Sequence, residues 1–189
     1  MTYIFLGVVF LQFALICGSG FIIFYYGVRL LSRAHFDVPF LETPRQYLPV
    51  IADALDIQRG DVVYDLGSGD GRVILYLADR FPEARFVGVE RNPFLFLLSR
   101  FRARGISNAV VVRANFFNLD FTNATKIYGY LETRPLNELY SRGKLHGVRL
   151  VSRAFLIQSE TPTSSIRLSE RDGAHGEHML HIYNLATTS

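Results

Sequence analysis

The sequence predicts an α/β fold: a mostly parallel, doubly wound sheet ending in an antiparallel hairpin, preceded by one transmembrane helix. Three observations predict it. Residues 61–71 read Asp-Val-Val-Tyr-Asp-Leu-Gly-Ser-Gly-Asp-Gly, a short apolar strand entering a glycine-rich turn, and an amphipathic stretch, 72–80, follows at once. Further on, apolar strand-like runs alternate with helical ones, the pattern of a parallel sheet covered by helices. Upstream, no charged side chain occurs from Met1 to Val28, and Gln12 is the only strongly polar interruption. About 20 apolar residues span a bilayer.

Taken in order, residues 1–33 are expected to be a single-pass anchor with its basic flank, the membrane contact running over 3–28. The run is too long for a signal-peptide core, no basic residue precedes it, and it has no polar face to suit a buried amphipathic helix. Ile16 before Cys17 is a poor fit to a lipoprotein cleavage site. Arg29 and Arg33 follow the apolar run, which places the remaining chain on the cytoplasmic side. Without an Arg-rich leader, the membrane expected is a bacterial inner membrane. Residues 34–43 form a linker, and 44–189 the folded domain. Pro44 suits a first helical turn with Thr43 as N-cap. Tyr47, Leu48, Ile51, Ala54 and Leu55 then share one helical face, and Gly60 stops the element. Strands are predicted over 61–66, 85–90, 109–113, 124–131 and 147–157, and helices over 71–80, 93–104 and 134–143, with Pro93 at the first position of the second. Two strand-like runs, 166–169 and 179–185, flank a polar gap too short for a helix, so they are expected to pair as a hairpin.

Composition excludes several classes. The 189 residues carry a formal net charge of +3 and one cysteine. With no dense basic run, nucleic acid is not an expected partner. A single Cys17 provides neither a disulfide framework nor a cysteine-rich metal site. His175, His178 and His181 cluster near the final hairpin, but residues three apart on a strand face opposite sides, so no metal is expected.

The glycine-rich turn carries the chemistry. A strand, a glycine turn and a helix place a nucleotide-like ligand at the strand's carboxyl end, where free helix N–H groups meet an anionic group. The dinucleotide fingerprint is G-x-G-x-x-G; here the glycines are Gly67, Gly69 and Gly71, with Asp65 just before them and Arg72 where that fingerprint needs its last glycine. Glu90 closes the second strand, where an acid accepts hydrogen bonds from ribose hydroxyls, a role both ligand families share. The glycine spacing separates them, and Asp65-x-Gly67-x-Gly69-x-Gly71 resembles motif I of class I S-adenosylmethionine (SAM) methyltransferases.

The chain further resembles the membrane-anchored protein-lysine methyltransferases of the FAM173 type. The similarity covers residues 39–158: Pro39 to Pro44 and Gln46, Tyr64 to Arg72, Gly88 to Pro93, Leu98 to Ala103, Asn118 to Phe121, Tyr128-Gly129, Lys144-Leu145 and Arg153 to Phe155. It departs at Asn115, where that group has an acid, at Phe117, often Trp, and over 156–162, where that group is Pro-rich with a Trp. The resemblance implies a Rossmann-like, seven-stranded class I methyltransferase sheet with SAM as cofactor. It implies that Asp65, Gly67, Ser68, Gly69, Gly71 and Glu90 bind the cofactor, with Asn115 and Phe116 at its adenine. Tyr128, Tyr130 and Glu132, around the end of the fourth strand, fall where this fold places acceptor-site residues, the tyrosines to orient an amine and Glu132 to assist with its proton. Phe116 and Phe117 also suit plain core packing, and Tyr130 and Glu132 a surface loop. The implied acceptor is a lysine on a membrane-associated protein. A lipid, quinone or other small membrane molecule is the alternative acceptor, and a non-catalytic SAM-binding membrane protein the alternative class.

Overall fold

In the computed structural model the chain divides into two units, Met1–Phe40 and Leu41–Ser189. The structure describes residues 42–168 and 178–186, with scattered helical positions between 10 and 26. The expected span over 3–28 falls largely outside the described residues, as does the linker up to 41. Among the described residues no helix is long and apolar enough to cross a membrane, so the spanning helix of the predicted fold is not found there.

The second unit is built on α1 (Leu48–Leu55), β1 (Val62–Leu66), α2 (Arg72–Arg80), β2 (Arg85–Glu90), α3 (Pro93–Arg102), β3 (Ala109–Arg113), β4 (Lys126–Gly129), α4 (Thr133–Ser141), β5 (Arg149–Arg153), β6 (Ser164–Arg167) and β7 (Met179–Asn184). The strands form one seven-stranded sheet in the order β3-β2-β1-β4-β5-β7-β6. The first five are parallel, and β7 runs antiparallel between β5 and β6. The expected hairpin therefore forms, with Ile166 opposite Leu180, and most of its connection lies outside the described residues.

Both faces of the sheet are covered. On one, Ile51, Leu55, Ile74, Leu77 and Phe86 form a buried cluster; on the other, Leu66, Ile127, Leu136, Leu139 and Leu150 form a second. The central strand β1 is accordingly buried from Val63 to Leu66, because helices on both faces leave it no solvated side.

Element boundaries differ from expectation where long-range contacts intervene. Thr43 does not cap the first helix. A 3-10 turn, Arg45–Tyr47, opens it with no side-chain cap, and the Thr43 hydroxyl turns inward to the Tyr128 hydroxyl, 3.1 Å away. α1 stops at Leu55, before Gly60, because Asp56 takes a left-handed conformation at φ 51°. β4 and β5 are shorter than predicted, and β5 ends where Ala154 turns to φ 69°. The apolar patterning of 147–157 continues past that turn, so periodicity alone could not place it.

Candidate active site

The carboxyl ends of β1, β2 and β4 converge at one edge of the sheet. There the loop after β1 folds over the end of β2. The Gly67 and Ser68 N–H groups both donate to the Val89 carbonyl, at 2.9 and 3.0 Å. Gly69 N–H donates to Glu90 Oε2 at 2.8 Å, and Asn92 N–H to Glu90 Oε1 at 2.7 Å. Glu90, 8% exposed, is thus a staple between the glycine loop and the start of α3. Each of its oxygens keeps a lone pair for a further donor.

Two glycines are required by contact. Gly71 caps α2 at φ 81°, and a Cβ there would stand 3.0 Å from Ser99 Cβ of α3. Gly88 lies beneath the loop, where a Cβ would meet Ile74 Cδ1 at 2.7 Å and Ser68 Oγ at 2.9 Å. The loop therefore rests against β2 and α3 with no room for a side chain between them.

The electrostatics divide the loop's two acids. Asp65 is 3% exposed at the end of β1. Burial first, then the neighbouring Glu90 and Asp70 carboxylates, push its carboxyl up to about 8. Its Oδ2, like Ser68 Oγ, is buried without a hydrogen-bond partner among the described residues. Asp70 is the opposite case. Burial acts to raise it, but hydrogen bonds from Arg72 and Arg102 prevail and lower it to about 2. Arg72 grips Asp70 with Nε at 2.9 Å and Nη2 at 2.8 Å, and Arg102 Nη1 donates at 2.6 Å. Arg72 also donates to the Thr43 carbonyl and pairs with Glu42, both at 3.2 Å. Asp70 thereby ties α2, α3 and the segment before α1 to the loop.

A second group stands beside Asp65. Tyr128 lies within β4, in register with Asp65. It is 2% exposed, and burial pushes its phenol up despite the Thr43 hydrogen bond. Tyr130, just past β4, packs 6.1 Å from the Phe155 ring. The Arg153 guanidinium sits 4.2 Å from the Tyr130 ring centre and 5.4 Å from that of Tyr47. Its Nη1 donates to the Glu42 carbonyl at 3.2 Å and approaches Thr43 Oγ1 at 3.4 Å. Glu132 occupies the N-cap position of α4 with no side-chain cap bond and is half-buried.

Asn115 and Phe116 stand beyond the end of β3, on the Glu90 side. Asn115 caps the 3-10 turn Phe116–Asn118, its Oδ1 accepting from Phe117 N–H at 3.1 Å. Its carbonyl oxygen is therefore already engaged, while its amide N–H groups remain as donors. The rings of Phe116 and Phe117 are tilted against each other at 4.7 Å, and both are half-buried.

The structure thus brings Asp65, Gly67, Ser68, Gly69, Gly71 and Glu90 into one cradle, with Tyr128 adjoining. Sequence reasoning missed Thr43, Asp70, Arg72 and Arg153. Asp70 stood as a spacer between glycines, and its partner Arg102 is 32 residues away. His178 and His181 pair separately, with Tyr47 and Ser165, and His175 lies outside the described residues. Among the described residues no group of three or more ligating side chains could hold a metal. An open groove of about 550 Å³ lies at the other end of the sheet, over the amino ends of β1 to β3 near Val62, Arg85 and Val110, away from the glycine loop.

A parallel sheet that turns antiparallel at β7, with a glycine cradle after β1 and a buried acid closing β2, defines a class I SAM-dependent methyltransferase. Residues 65–164 match the ANTKMT methyltransferase domain. A protein-lysine N-methyltransferase from Saccharolobus islandicus is 31% identical over 154 residues, covering 77% of this chain and 92% of that one. Among solved structures, an RNA methyltransferase from Salinibacter ruber in complex with S-adenosyl-L-homocysteine superposes with a TM-score of 0.69 at 25% identity, covering 79% of this chain and 96% of that one. A precorrin-6y C5,15-methyltransferase from Geobacter metallireducens (TM-score 0.53, 17% identity, 77% and 89% covered) shares the fold. The chain belongs to the ANTKMT methyltransferase domain family.

The cofactor is S-adenosylmethionine. The residues present fit it. Gly67, Gly69 and Gly71 all turn at positive φ and bring bare backbone to the end of β1, and the orphaned buried oxygen of Asp65 suits a ligand that brings positive charge.

Proposed function

We propose that this enzyme is a membrane-anchored protein-lysine methyltransferase. The observation that carries the reading is the 31% identity to a protein-lysine methyltransferase over 92% of that relative's length. The anchor rests on the uncharged run from Met1 to Val28, followed by Arg29 and Arg33. That order favours a catalytic unit on the cytoplasmic side of the membrane. The substrate is then a lysine on a protein held at that membrane.

In this reading Asp65, Gly67, Ser68, Gly69, Gly71 and Glu90 hold the cofactor, with Asn115 and Phe116 at its adenine. Bound there, S-adenosylmethionine supplies an activated methyl group for direct displacement, a reaction in which positioning dominates. The acceptor amine must arrive neutral. Arg153 on the Tyr130 ring places a fixed cation at the acceptor side, which disfavours an ammonium and lowers the pKa of an incoming lysine. Tyr130 orients the amine, Glu132 takes up the proton it sheds, and Tyr128, buried and bonded to Thr43, positions the strand end.

Label transfer from methyl-labelled SAM tests this, using purified protein and membranes from a strain lacking it. Counts in a protein band, recovered as methyl-lysine after hydrolysis, are the expected result. Counts in the organic extract would move the acceptor to a lipid or quinone. Counts in RNA, or SAM bound with no transfer, would equally overturn the lysine reading.

A further inference from the structure

Helix α3 wears its apolar face outward. Phe94, Leu97, Leu98 and Phe101 recur at the i, i+3, i+4, i+7 spacing that lines one face of a helix, yet they are 52%, 60%, 40% and 64% exposed. The inward face is thinner: Ser99 is the helix's one buried residue, and Phe96 is partly buried against the core. A stripe of four large apolar side chains in a row is more than the scattered exposure normal for a soluble surface.

The charges of the helix and its immediate flanks are all of one sign. From Arg91 to Gly105 there are four arginines, Arg91, Arg100, Arg102 and Arg104, and no acid. At about 100° per residue, Arg102 borders the stripe on the Leu98 side and Arg100 on the Leu97 side, while Arg91 and Arg104 stand just before and just after the helix. Arg104 lies over the Phe101 ring at 5.1 Å, which holds its guanidinium at the stripe, and Arg100 lies over the partly buried Phe96 at 5.8 Å. Arg102 is tied to Asp70, and Arg91 is exposed. An apolar face edged by cations is the pattern of a helix that lies in a lipid interface, apolar side chains at the acyl boundary and arginines at the phosphates.

We infer that this face of α3 is an interfacial surface that seats on an anionic lipid bilayer. The inference rests on the membrane reading of residues 3–28 and extends it to the catalytic unit. α3 is capped by Asn92, whose backbone N–H is stapled by Glu90 to the glycine loop, and its Ser99 packs against Gly71. Seating α3 therefore sets the cofactor cradle at the membrane surface, within reach of a membrane-held substrate.

The chain has no tryptophan, which gives a clean probe. Full-length Phe101→Trp, Leu97→Trp and, as a control near the opposite end of β1, Arg59→Trp are each mixed with phosphatidylglycerol–phosphatidylcholine vesicles carrying brominated acyl chains. Flotation reads membrane attachment, and tryptophan quenching reads α3. Emission from Phe101→Trp and Leu97→Trp should shift to the blue and be quenched about twofold or more, with Arg59→Trp unaffected. Adding Arg100→Glu and Arg104→Glu should remove most of the quenching while the chain still floats. Flotation without quenching at positions 97 and 101 would overturn the inference and leave the anchor standing. Failure to float would sink the anchor reading and this inference with it. Blue-shifted emission without lipid, together with a doubled mass, would assign the stripe to a second copy of the chain instead.

Discussion

Asp65→Asn should make the ligand-free protein more stable while weakening its cofactor site. The wild-type carboxyl is moved from an ordinary 3.8 to about 8, by burial first and then by Glu90 and Asp70. An acid whose folded pKa is raised loses stability as pH climbs from its unfolded value, and the loss levels off above its folded value. The window here runs from about 3.8 to about 8. At ~1.4 kcal/mol per pH unit, the approximately three units between 3.8 and pH 7 set a ceiling of about 4 kcal/mol. Asparagine is nearly isosteric and carries no ionisation to suppress. The expected gain is therefore about 2–4 kcal/mol at pH 7–8, shrinking below ~1 kcal/mol near pH 4. Urea unfolding followed by circular dichroism across pH 4–8 measures it. A cation seated beside Asp65 favours its ionised form, so SAM binding at pH 7 should release roughly one proton from the wild type and none from the variant. Titration calorimetry in buffers of different ionisation enthalpy counts that proton. A variant no more stable at pH 8 than at pH 4, relative to wild type, would refute the argument, as would binding by the wild type with no proton released.

Glu90→Ala leaves the Gly69 and Asn92 N–H groups unpaired, at ~1–3 kcal/mol each where buried; urea midpoints should fall, and calorimetry should show SAM affinity lowered by about 100-fold or more. Gly88→Ala inserts a methyl 2.7 Å from Ile74 Cδ1 and 2.9 Å from Ser68 Oγ, an overpacking cost of about 1–3 kcal/mol that should also weaken SAM binding; unchanged stability and affinity would contradict the close approach. Asp70 is lowered to about 2 by Arg72 and Arg102 against the effect of burial, so its contribution is present above its ordinary 3.8 and lost as pH falls through about 2. The advantage of wild type over Asp70→Asn in urea midpoint should accordingly be constant above pH 5 and gone near pH 2.

Local pattern carried the sequence reading a long way. The bounds of β2 and β3 match their predicted ranges because each is a short apolar run closed by a polar residue or a turn, and Pro93 opens α3 as its fixed φ requires. The glycine spacing after β1 pointed to the cofactor, since a tight turn with no side chains is a property of a few consecutive residues. The same local logic failed at Thr43. Its position before Pro44 suits an N-cap, but the hydroxyl of Tyr128, 85 residues on, captures it. Arg153 enters the sequence only as part of the segment Arg153 to Phe155 that the resemblance covers, and the tertiary fold stacks it on Tyr130. For α3, periodicity announces an apolar stripe and cannot say which way it faces; the packing of Ser99 on Gly71 turned it outward. By itself, then, the sequence determined the order of elements, the cradle and the cofactor class, because these follow from backbone periodicity and glycine chemistry over short spans. The tertiary structure alone decided that one buried oxygen of Asp65 has no partner among the described residues while Asp70 is gripped by two arginines, and that a cationic helix shows its apolar face. Desolvation, pairing and exposure depend on neighbours that the chain brings together only when it folds.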